Sequence, residues 1–275
     1  MSNAADGLMR PPSDHARHWR RGILRYLPVA IFLLVWQLAV VFDLIDRAFL
    51  PSVDATVAAL WEMVRNGEIG LNLAVSIYRA FTGLAIGSLL GVAVGLAMAT
   101  SRQADGFFGP LVAITYSLPK SSLVPLFILW FGIGDATDIL TVVLACLLPV
   151  IVSTYHGVQA VPAFLVWSAR AMGTPRHAIL WRILLPGALL PILTGVRIAL
   201  GFCFVLTISA EMIAAKTGIG KLIFLYGENG AYAYMFAGLL AVVIVAYAAD
   251  RVLLACMRYF LRWHDSIHAA HAHAG

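Results

Sequence analysis

The residues of this 275-residue chain with the clearest chemical potential lie inside apolar segments. One apolar run holds a charge, a hydroxyl and two prolines: Lys120, Ser121, Pro119 and Pro125. Each proline removes a backbone hydrogen-bond donor, so a helix through this run should be kinked or locally unwound. Irregular backbone at membrane depth occurs where it is buried in protein or lines a water-filled cavity. We therefore expect this segment to lie beside a translocation path, where an ammonium group would favour anions.

Glu211 is a second charged residue within an apolar segment. On the translocation path it would cap a charge or form a gate contact, and a structural ion pair is the open alternative. Two alternatives stay open for Lys120, because it can extend its ammonium to the membrane surface or pair with a structural carboxylate such as that of Glu211. Arg79 and Arg197 are expected near span ends, with their side chains extended to the surface.

Composition places these residues in a membrane protein. The chain is 61% hydrophobic and 12% charged, with a mean hydropathy of +0.87, which excludes a soluble globular protein. About 20 mostly apolar residues form one transmembrane helix. We predict an all-α, polytopic membrane protein with six transmembrane helices at residues 27–44, 73–100, 107–131, 139–155, 187–213 and 232–257.

No motif for catalysis or for nucleotide binding is present. The sequence has no His-Glu-x-x-His pair and no Gly-x-Ser-x-Gly elbow. Gly220-Lys221 is a near match to a phosphate-binding loop, but Leu222 replaces the required Ser or Thr. We expect no catalytic residue and no ATP site in this chain.

Cysteine and histidine do not indicate a metal site. Cys146, Cys203 and Cys256 are scattered through apolar segments and are expected to be inert packing residues. The histidines near the carboxyl terminus are expected to be solvated, with adventitious metal binding as the alternative: His264, His268, His271 and His273.

Small residues recur at helical spacing in the second predicted span. Gly83, Gly87, Gly91 and Gly95 stand four residues apart, close to one helical turn, and so lie on one face. In lipid, helices associate through close contact between small residues. The four glycines therefore predict a helix face that packs closely against another helix.

A polar stretch at residues 166–187 separates two of the apolar spans. Gly173 suits a helix carboxyl terminus, and Thr174-Pro175 suits the cap and first residue of a second short helix. We expect a compact knob of two short helices, with basic residues that keep it out of the bilayer. Its apolar side chains would press into a groove on a partner: Trp167, Met172, Ile179 and Leu180.

The spacing of Gly173 and Ile183-Leu184-Leu185-Pro186 resembles the cytoplasmic coupling loop of bacterial ABC importer permeases. Further blocks resemble the nitrate, taurine and alkanesulfonate group of these permeases. They are residues 118–135, Arg79-Ala-Phe-Thr-Gly83, Gly195-Val-Arg-Ile-Ala-Leu-Gly201 and Ala210-Glu-Met-Ile-Ala-Ala215 followed by Gly218-Ile-Gly220.

The resemblance implies an importer-permease (MetI-like) fold over residues 27–260, with a coupling loop at about 156–186 and tails at 1–26 and 261–275. It implies a homodimer of permease subunits, two ATP-binding subunits that use ATP and Mg²⁺, and a periplasmic or lipid-anchored substrate-binding protein. The solute would be a small oxyanion or organosulfonate. The implied ATPase-coupling residues are Trp167, Ala169, Arg170, Gly173, Arg176, Ile183, Leu185 and Pro186.

One position departs from the family pattern. The family begins this loop with Glu-Ala-Ala, whereas this chain has Trp167-Ser168-Ala169. An ionic contact from that glutamate cannot form. We therefore expect docking to rest on shape and on apolar contact from residues such as Trp167, with Arg170 or Arg176 as a further possible contact.

Basic residues set the expected orientation. Twelve arginines are expected on one side of the membrane, before the first span, after the second, in the polar stretch and at the end of the chain: Arg10, Arg17, Arg20, Arg21, Arg25, Arg102, Arg170, Arg176, Arg182, Arg251, Arg258 and Arg262. The positive-inside rule then predicts a multi-pass bacterial inner membrane protein with both termini cytoplasmic. The asymmetry accounts for the net charge of +5, so no nucleic-acid partner is implied. An ion-coupled secondary transporter and an intramembrane enzyme remain alternatives.

Overall fold

The computed structural model describes residues 14–46 and 49–261, with side chains from residue 27 onward. Regular structure in these ranges is helical. The α-helices are α1 (Asp14–Val41), α2 (Val53–Arg65), α3 (Glu68–Thr100), α4 (Arg102–Ser117), α5 (Val124–Phe131), α6 (Asp135–Gln159), α7 (Ala163–Ala171), α8 (Arg176–Ile179), α9 (Leu185–Gly187), α10 (Leu189–Ala214), α11 (Ile219–Glu228) and α12 (Tyr232–Phe260).

The predicted tails fall largely outside the described part. Residues 1–13 and 262–275, including His264, His268, His271 and His273, lie outside it. Helix α1 begins at Asp14, so it occupies part of the segment that we assigned to the tail, residues 1–26.

Four helices are long and apolar enough to cross a membrane, namely α3, α6, α10 and α12. A fifth crossing is formed if α4 and the segment Lys120–Phe131 are taken as one span, bent by 96°. The first predicted span corresponds to a shorter apolar stretch, Leu27–Val41. The described residues therefore provide four or five full-length spans and this shorter helix, where the sequence predicted six spans.

The bend in the third predicted span lies at Pro119. Leu118 and Pro119 have extended backbone, as expected for a residue that precedes proline and for a proline that ends a helix. One 3₁₀ turn, Lys120–Leu123, then leads into α5, where Pro125 sits in the first turn and needs no helical hydrogen-bond donor. The predicted straight span of residues 107–131 is therefore two helices joined by an irregular segment.

Among the described helices, α3 and α6 share the most extensive contact. Gly83, Gly87, Gly91 and Gly95 are buried on the face of α3 that lies against α6. A Cβ added at any of them would lie 2.6–2.9 Å from an atom of α6. The two helices can approach this closely because the four positions carry no side chain.

Helix α10 completes a three-helix core. Its buried Ala199, Leu200, Cys203 and Phe204 pack with residues of α3 and α6. The Cys203 thiol donates to the Ala80 carbonyl oxygen at 3.2 Å, while Cys256 is exposed and unpaired with another cysteine. Little of α12 is buried, so most of its surface is left for lipid or for another subunit.

Two short helices, α2 and α11, lie outside the spans and were not among the predicted elements. Met63 of α2 is fully buried and packs in a cluster with Ile219 and Ile223 of α11. The Tyr226 hydroxyl of α11 donates to Glu68 at 2.8 Å. Burial and this carboxylate raise the pKa of Tyr226 to about 12, so the hydroxyl keeps its proton and the hydrogen bond persists.

The glycine face gives a testable prediction. Gly87→Ala is expected to lower the free energy of unfolding by about 1–3 kcal/mol, a typical cost of overpacking a core. The new Cβ would lie 2.8 Å from the Val143 carbonyl oxygen and 2.9 Å from Cys146 Cβ. Titration with a denaturing detergent measures the change. The control is Gly70→Ala in the same helix, where a Cβ meets no atom within 4 Å; equal stability of the two variants would contradict the proposed packing role.

Candidate functional site

The segment between α6 and α10 forms a knob of short helices. Helix α7 follows Pro162, and α8 follows Pro175. A π-helical turn, Leu180–Leu184, and the short α9 then lead into α10. We expected Thr174 to cap the second helix, but Pro175 occupies the N-cap position and makes no side-chain cap hydrogen bond.

Gly173 makes the reversal between α7 and α8 possible. Its φ is +77°, in the left-handed region that glycine adopts without steric cost. The Thr174 N–H donates to the Ala169 carbonyl oxygen at 3.0 Å, and the Gly173 N–H donates to that of Arg170 at 2.9 Å. These two bonds form a Schellman motif, which satisfies the last carbonyl groups of α7. The turn is thus held by backbone hydrogen bonds.

The knob presents large apolar side chains on its surface. Trp167 is 66% exposed, Met172 is 78% exposed and Trp181 is 63% exposed. Ile179, which we expected on the partner-facing surface, is buried inside the protein together with Ala169. Ile183 and Leu185 are half-buried, and Pro186 is exposed.

A basic groove runs along the same knob. It has a volume of about 440 Å³ and lies between the knob and the end of α3 at Thr100. Arg170, Arg176 and His177 line it, together with apolar residues that include Leu180. The knob therefore combines exposed aromatic side chains with positive charge.

A cluster of charged residues lies at the other end of the spans, away from the knob. Arg79 is 2% exposed. Its Nε and Nη2 donate to Asp135 Oδ1 at 2.8 Å and 2.6 Å, and its Nη1 donates to Glu211 Oε1 at 3.0 Å. We expected Arg79 to reach the membrane surface, but it is buried inside the protein. The alternative pairing of Lys120 with Glu211 is wrong, since Glu211 pairs with Arg79.

The carboxylate of Glu211 is fully buried and held from several sides. Ser76 Oγ donates to it, at 2.7 Å and 2.8 Å from its two oxygens, and accepts from the Ile219 N–H at 2.9 Å. The Gly220 N–H donates to Glu211 Oε2 at 2.9 Å. A Cβ on Gly218 would overlap this carboxylate. The turn before α11 is therefore shaped around Glu211.

Asp138 lies beside the same guanidinium. Its Oδ2 is 3.2 Å from Arg79 Nη1, and its side chain has no exposed surface. Neither carboxylate oxygen has a hydrogen-bond partner among the described residues, so its contact with Arg79 is electrostatic. The cluster thus joins α3, α6, α10 and the turn before α11 around one arginine.

Lys120 lies at the bend, apart from this cluster. Its Nζ donates to the Tyr116 carbonyl oxygen at 3.0 Å and lies 5.4 Å from the centre of the Tyr116 ring. Pro119, Ser121 and Pro125 are exposed around it. Arg197, which we expected to reach the membrane surface alone, pairs with Asp250 of α12 at 2.7 Å.

Ser76, Asp135 and Asp138 were not expected to lie in one cluster. A signal was present, because three of the sequence blocks quoted above each contribute a charged residue to it: Arg79, Asp135 and Glu211. One basic and two acidic residues in separate helical blocks indicate a buried ion pair. No group of three or more His, Cys, Asp or Glu in the described ranges is arranged to hold a metal ion.

Comparison with known proteins agrees with this architecture. Residues 83–263 match the family model described as the binding-protein-dependent transport system inner membrane component. The chain belongs to this family. It is therefore a membrane-spanning transport subunit and not an enzyme, and family membership implies separate ATP-hydrolysing and substrate-binding partners.

Several relatives extend over nearly the whole chain. The taurine transport system permease protein of Escherichia coli (strain K12) is 32% identical, over 92% of this chain and 96% of its own length. A putative aliphatic sulfonates transport permease protein of the same strain is 35% identical, over 90% and 94%. Its namesake in Bacillus subtilis (strain 168) is 29% identical, over 95% and 94%.

Solved structures share the fold. A chain of the MetNI methionine ABC transporter in an inward-facing conformation has a TM-score of 0.57 at 22% identity, covering 71% of this chain and 96% of its own. A chain of an amino acid ABC transporter with histidines has a TM-score of 0.58 at 16% identity, covering 74% and 97%. The predicted importer-permease fold is confirmed.

The buried cluster gives a second prediction. Arg79→Met is expected to lower the free energy of unfolding by about 3–5 kcal/mol, because it leaves buried carboxylates without their cation. Arg197→Met is the matched control: it removes an arginine that also links two spans, but whose pair with Asp250 is 45% and 24% exposed. Denaturing-detergent titration of both variants should give a clearly smaller loss for the control. Equal losses would show that burial of the cluster does not determine its contribution.

Proposed function

We propose that this chain is the permease of an ATP-driven ABC importer for small organosulfonates or related oxyanions. The observation that carries the proposal is the knob at residues 163–187, in which a glycine turn holds two short helices and exposes Trp167, Met172 and Trp181. The names of the relatives, which are taurine and aliphatic sulfonates permeases, support the solute class.

The knob is the contact to the ATPase. Ala169 and Gly173 set its shape, Arg170 and Arg176 supply positive charge, and Ile183, Leu185 and Pro186 connect it to α10. Trp167 stands where the family has glutamate, so an apolar side chain replaces an ionic contact. Exposed aromatic side chains are frequent binding hot spots at protein interfaces.

The bend between α4 and α5 borders the translocation path. Pro119, Lys120, Ser121 and Pro125 lie at or next to this irregular segment, as expected where non-helical backbone borders a cavity. Glu211 is fully buried among protein partners. We assign it to holding together α3, α6 and α10 at the end away from the knob, rather than to contact with solute. Two copies of the chain enclose the path between them.

Basic residues support the topology. Most of the arginines named above lie in the knob, in the amino-terminal tail or near the end of the chain, so the positive-inside rule predicts that these parts lie in the cytoplasm. There the knob meets two ATP-binding subunits that use ATP and Mg²⁺. The opposite face receives solute from a periplasmic or lipid-anchored binding protein.

Removal of one exposed tryptophan tests the ATPase contact. Trp167→Ala is expected to reduce the affinity for the cognate ATPase at least tenfold, as for truncation of a hot-spot residue. Trp61→Ala is the control, because Trp61 is 63% exposed, close to the 66% of Trp167, but lies on α2 outside the knob. The measurement is the amount of ATPase that co-purifies with the tagged permease.

The same experiment includes Gly173→Arg, which strains the left-handed turn and places a bulky charge on the knob. This variant should also lose the ATPase while the membrane fold stays intact. Absence of ATPase from the wild-type preparation would refute the proposed coupling. Equal recovery with Trp167→Ala and Trp61→Ala would refute the assigned role of Trp167.

A transport assay separates the importer from an ion-coupled secondary transporter. In proteoliposomes that contain the whole importer and its binding protein, inactivation of ATP hydrolysis in the partner subunit should abolish taurine uptake. Dissipation of the membrane potential should leave uptake unchanged. The opposite pair of results would indicate an ion-coupled secondary transporter.

A further inference from the structure

A small cavity opens beside the bend between α4 and α5. It has a volume of about 230 Å³ and lies between Tyr116 of α4, Lys120 of the 3₁₀ turn, α6 and α10. Among the residues contributed by α6 and α10, Leu148 and Phe202 come from the middle of these helices. The cavity therefore lies beside the central part of two membrane-spanning helices.

The cavity wall is apolar apart from a few polar groups. Leu148, Pro149, Ile198 and Phe202 are among the apolar lining residues. Lys120 is the lining residue with a charge, and no acidic side chain lines the cavity. Pockets for drug-sized ligands have volumes of about 300–1,000 Å³. The size of this cavity suits a smaller solute with one polar end.

The charge of Lys120 lacks a carboxylate partner among the residues that the structure describes. Arg79 pairs with Asp135, Asp138 and Glu211, and Arg197 pairs with Asp250. The Lys120 ammonium donates to the Tyr116 carbonyl oxygen and faces the Tyr116 ring. An ammonium has three donors, so two remain for a ligand. An uncompensated charge within the spans is costly, and an anion in the cavity would compensate it.

We propose that this cavity is a binding site for the anionic head of an organic monoanion with a short apolar chain, such as an alkanesulfonate. Lys120 Nζ donates to the sulfonate oxygens, and Phe202 and Leu148 contact the alkyl chain. The inference rests on the proposed function, because it takes the solute to pass through this chain. It adds selectivity within the membrane to the selection that a binding protein makes.

The test measures ligand binding directly. Full-length permease in lipid nanodiscs of phosphatidylcholine, without binding protein, is mixed with ethanesulfonate, and binding is followed by saturation-transfer NMR of the ethyl protons. The matched neutral probe is diethyl sulfone. Ethanesulfonate should bind the wild type, and Lys120→Met should weaken that binding at least tenfold. Lys120→Arg should restore most of it, because the positive charge is retained, and diethyl sulfone should bind far more weakly to the wild type.

Lys221→Met is the control variant. Lys221 is also half-buried and lies 5.5 Å from the centre of an aromatic ring, that of Phe224, but it does not line the cavity. The Lys221→Met variant should bind ethanesulfonate as the wild type does. No binding to the wild type, equal binding to Lys120→Met, or equal binding of the neutral sulfone would each overturn the proposal.

The ATPase content of each preparation, read from gel stoichiometry, keeps the two proposals separate. Lys120-dependent binding without a retained ATPase would refute the coupling and leave the anion site standing. A retained ATPase without Lys120-dependent binding would refute the anion site alone.

Discussion

The rest of the architecture depends on the pairing of one buried guanidinium with carboxylates from other helices. Arg79 of α3 reaches Asp135 and Asp138 at the start of α6 and Glu211 near the end of α10. Charges that lose their partners inside a protein destabilise it strongly, so these helices cannot separate at this end without exposing them. Directional hydrogen bonds also fix the turn before α11 through Ser76 and Gly220. The ionic cluster thus sets the relative register of the three core helices.

Along the remaining length of the core, close contacts at small residues hold the helices together. The glycines of α3 bring its backbone against α6, and similar close approaches bring α10 to α6, as at Gly195 beside Ser153. Such contacts need no polar partners and tolerate small sliding movements better than hydrogen bonds do. Because α3, α6 and α10 pack so closely, α4 and α5 lie at the margin of the core. The irregular segment around Lys120 borders a cavity there and is not part of the packed interior.

Much of the fold follows from the sequence, because long apolar segments must be helices in lipid. The turn at Gly173 and the break at Pro119 were also predictable, since each depends on the backbone chemistry of one residue. The contacts between residues that are distant in the sequence were not predictable. Arg79 was assigned to a span end because the apolar run was taken to begin at residue 73, whereas α3 begins at Glu68. With the extra residues, Arg79 lies about three turns into α3, where it is buried against α6 and α10.

The acids that meet Arg79 were missed for a related reason. Asp135 and Asp138 were assigned to a loop before residue 139, yet α6 begins at Asp135. Acidic residues are favoured in the first turn of a helix, so polar sequence at this place does not exclude helix. The pairing of Glu211 with Arg79 and not with Lys120 depends on how α3 and α10 pack together, which no local pattern encodes. The exposure of Trp181 and burial of Ile179 likewise depend on how the knob rests against α3.

The ionic cluster and the knob lie at opposite ends of α6. Asp138 is held near one end of this helix, and the knob follows its other end at Gln159. At 1.5 Å per residue, the arm between them is about 30 Å long. If the bonded end stayed fixed, a movement of about 3 Å at the knob would tilt the helix by only about 5°, given this rise per residue. The largest displacement would then fall on the parts of the spans nearest the knob.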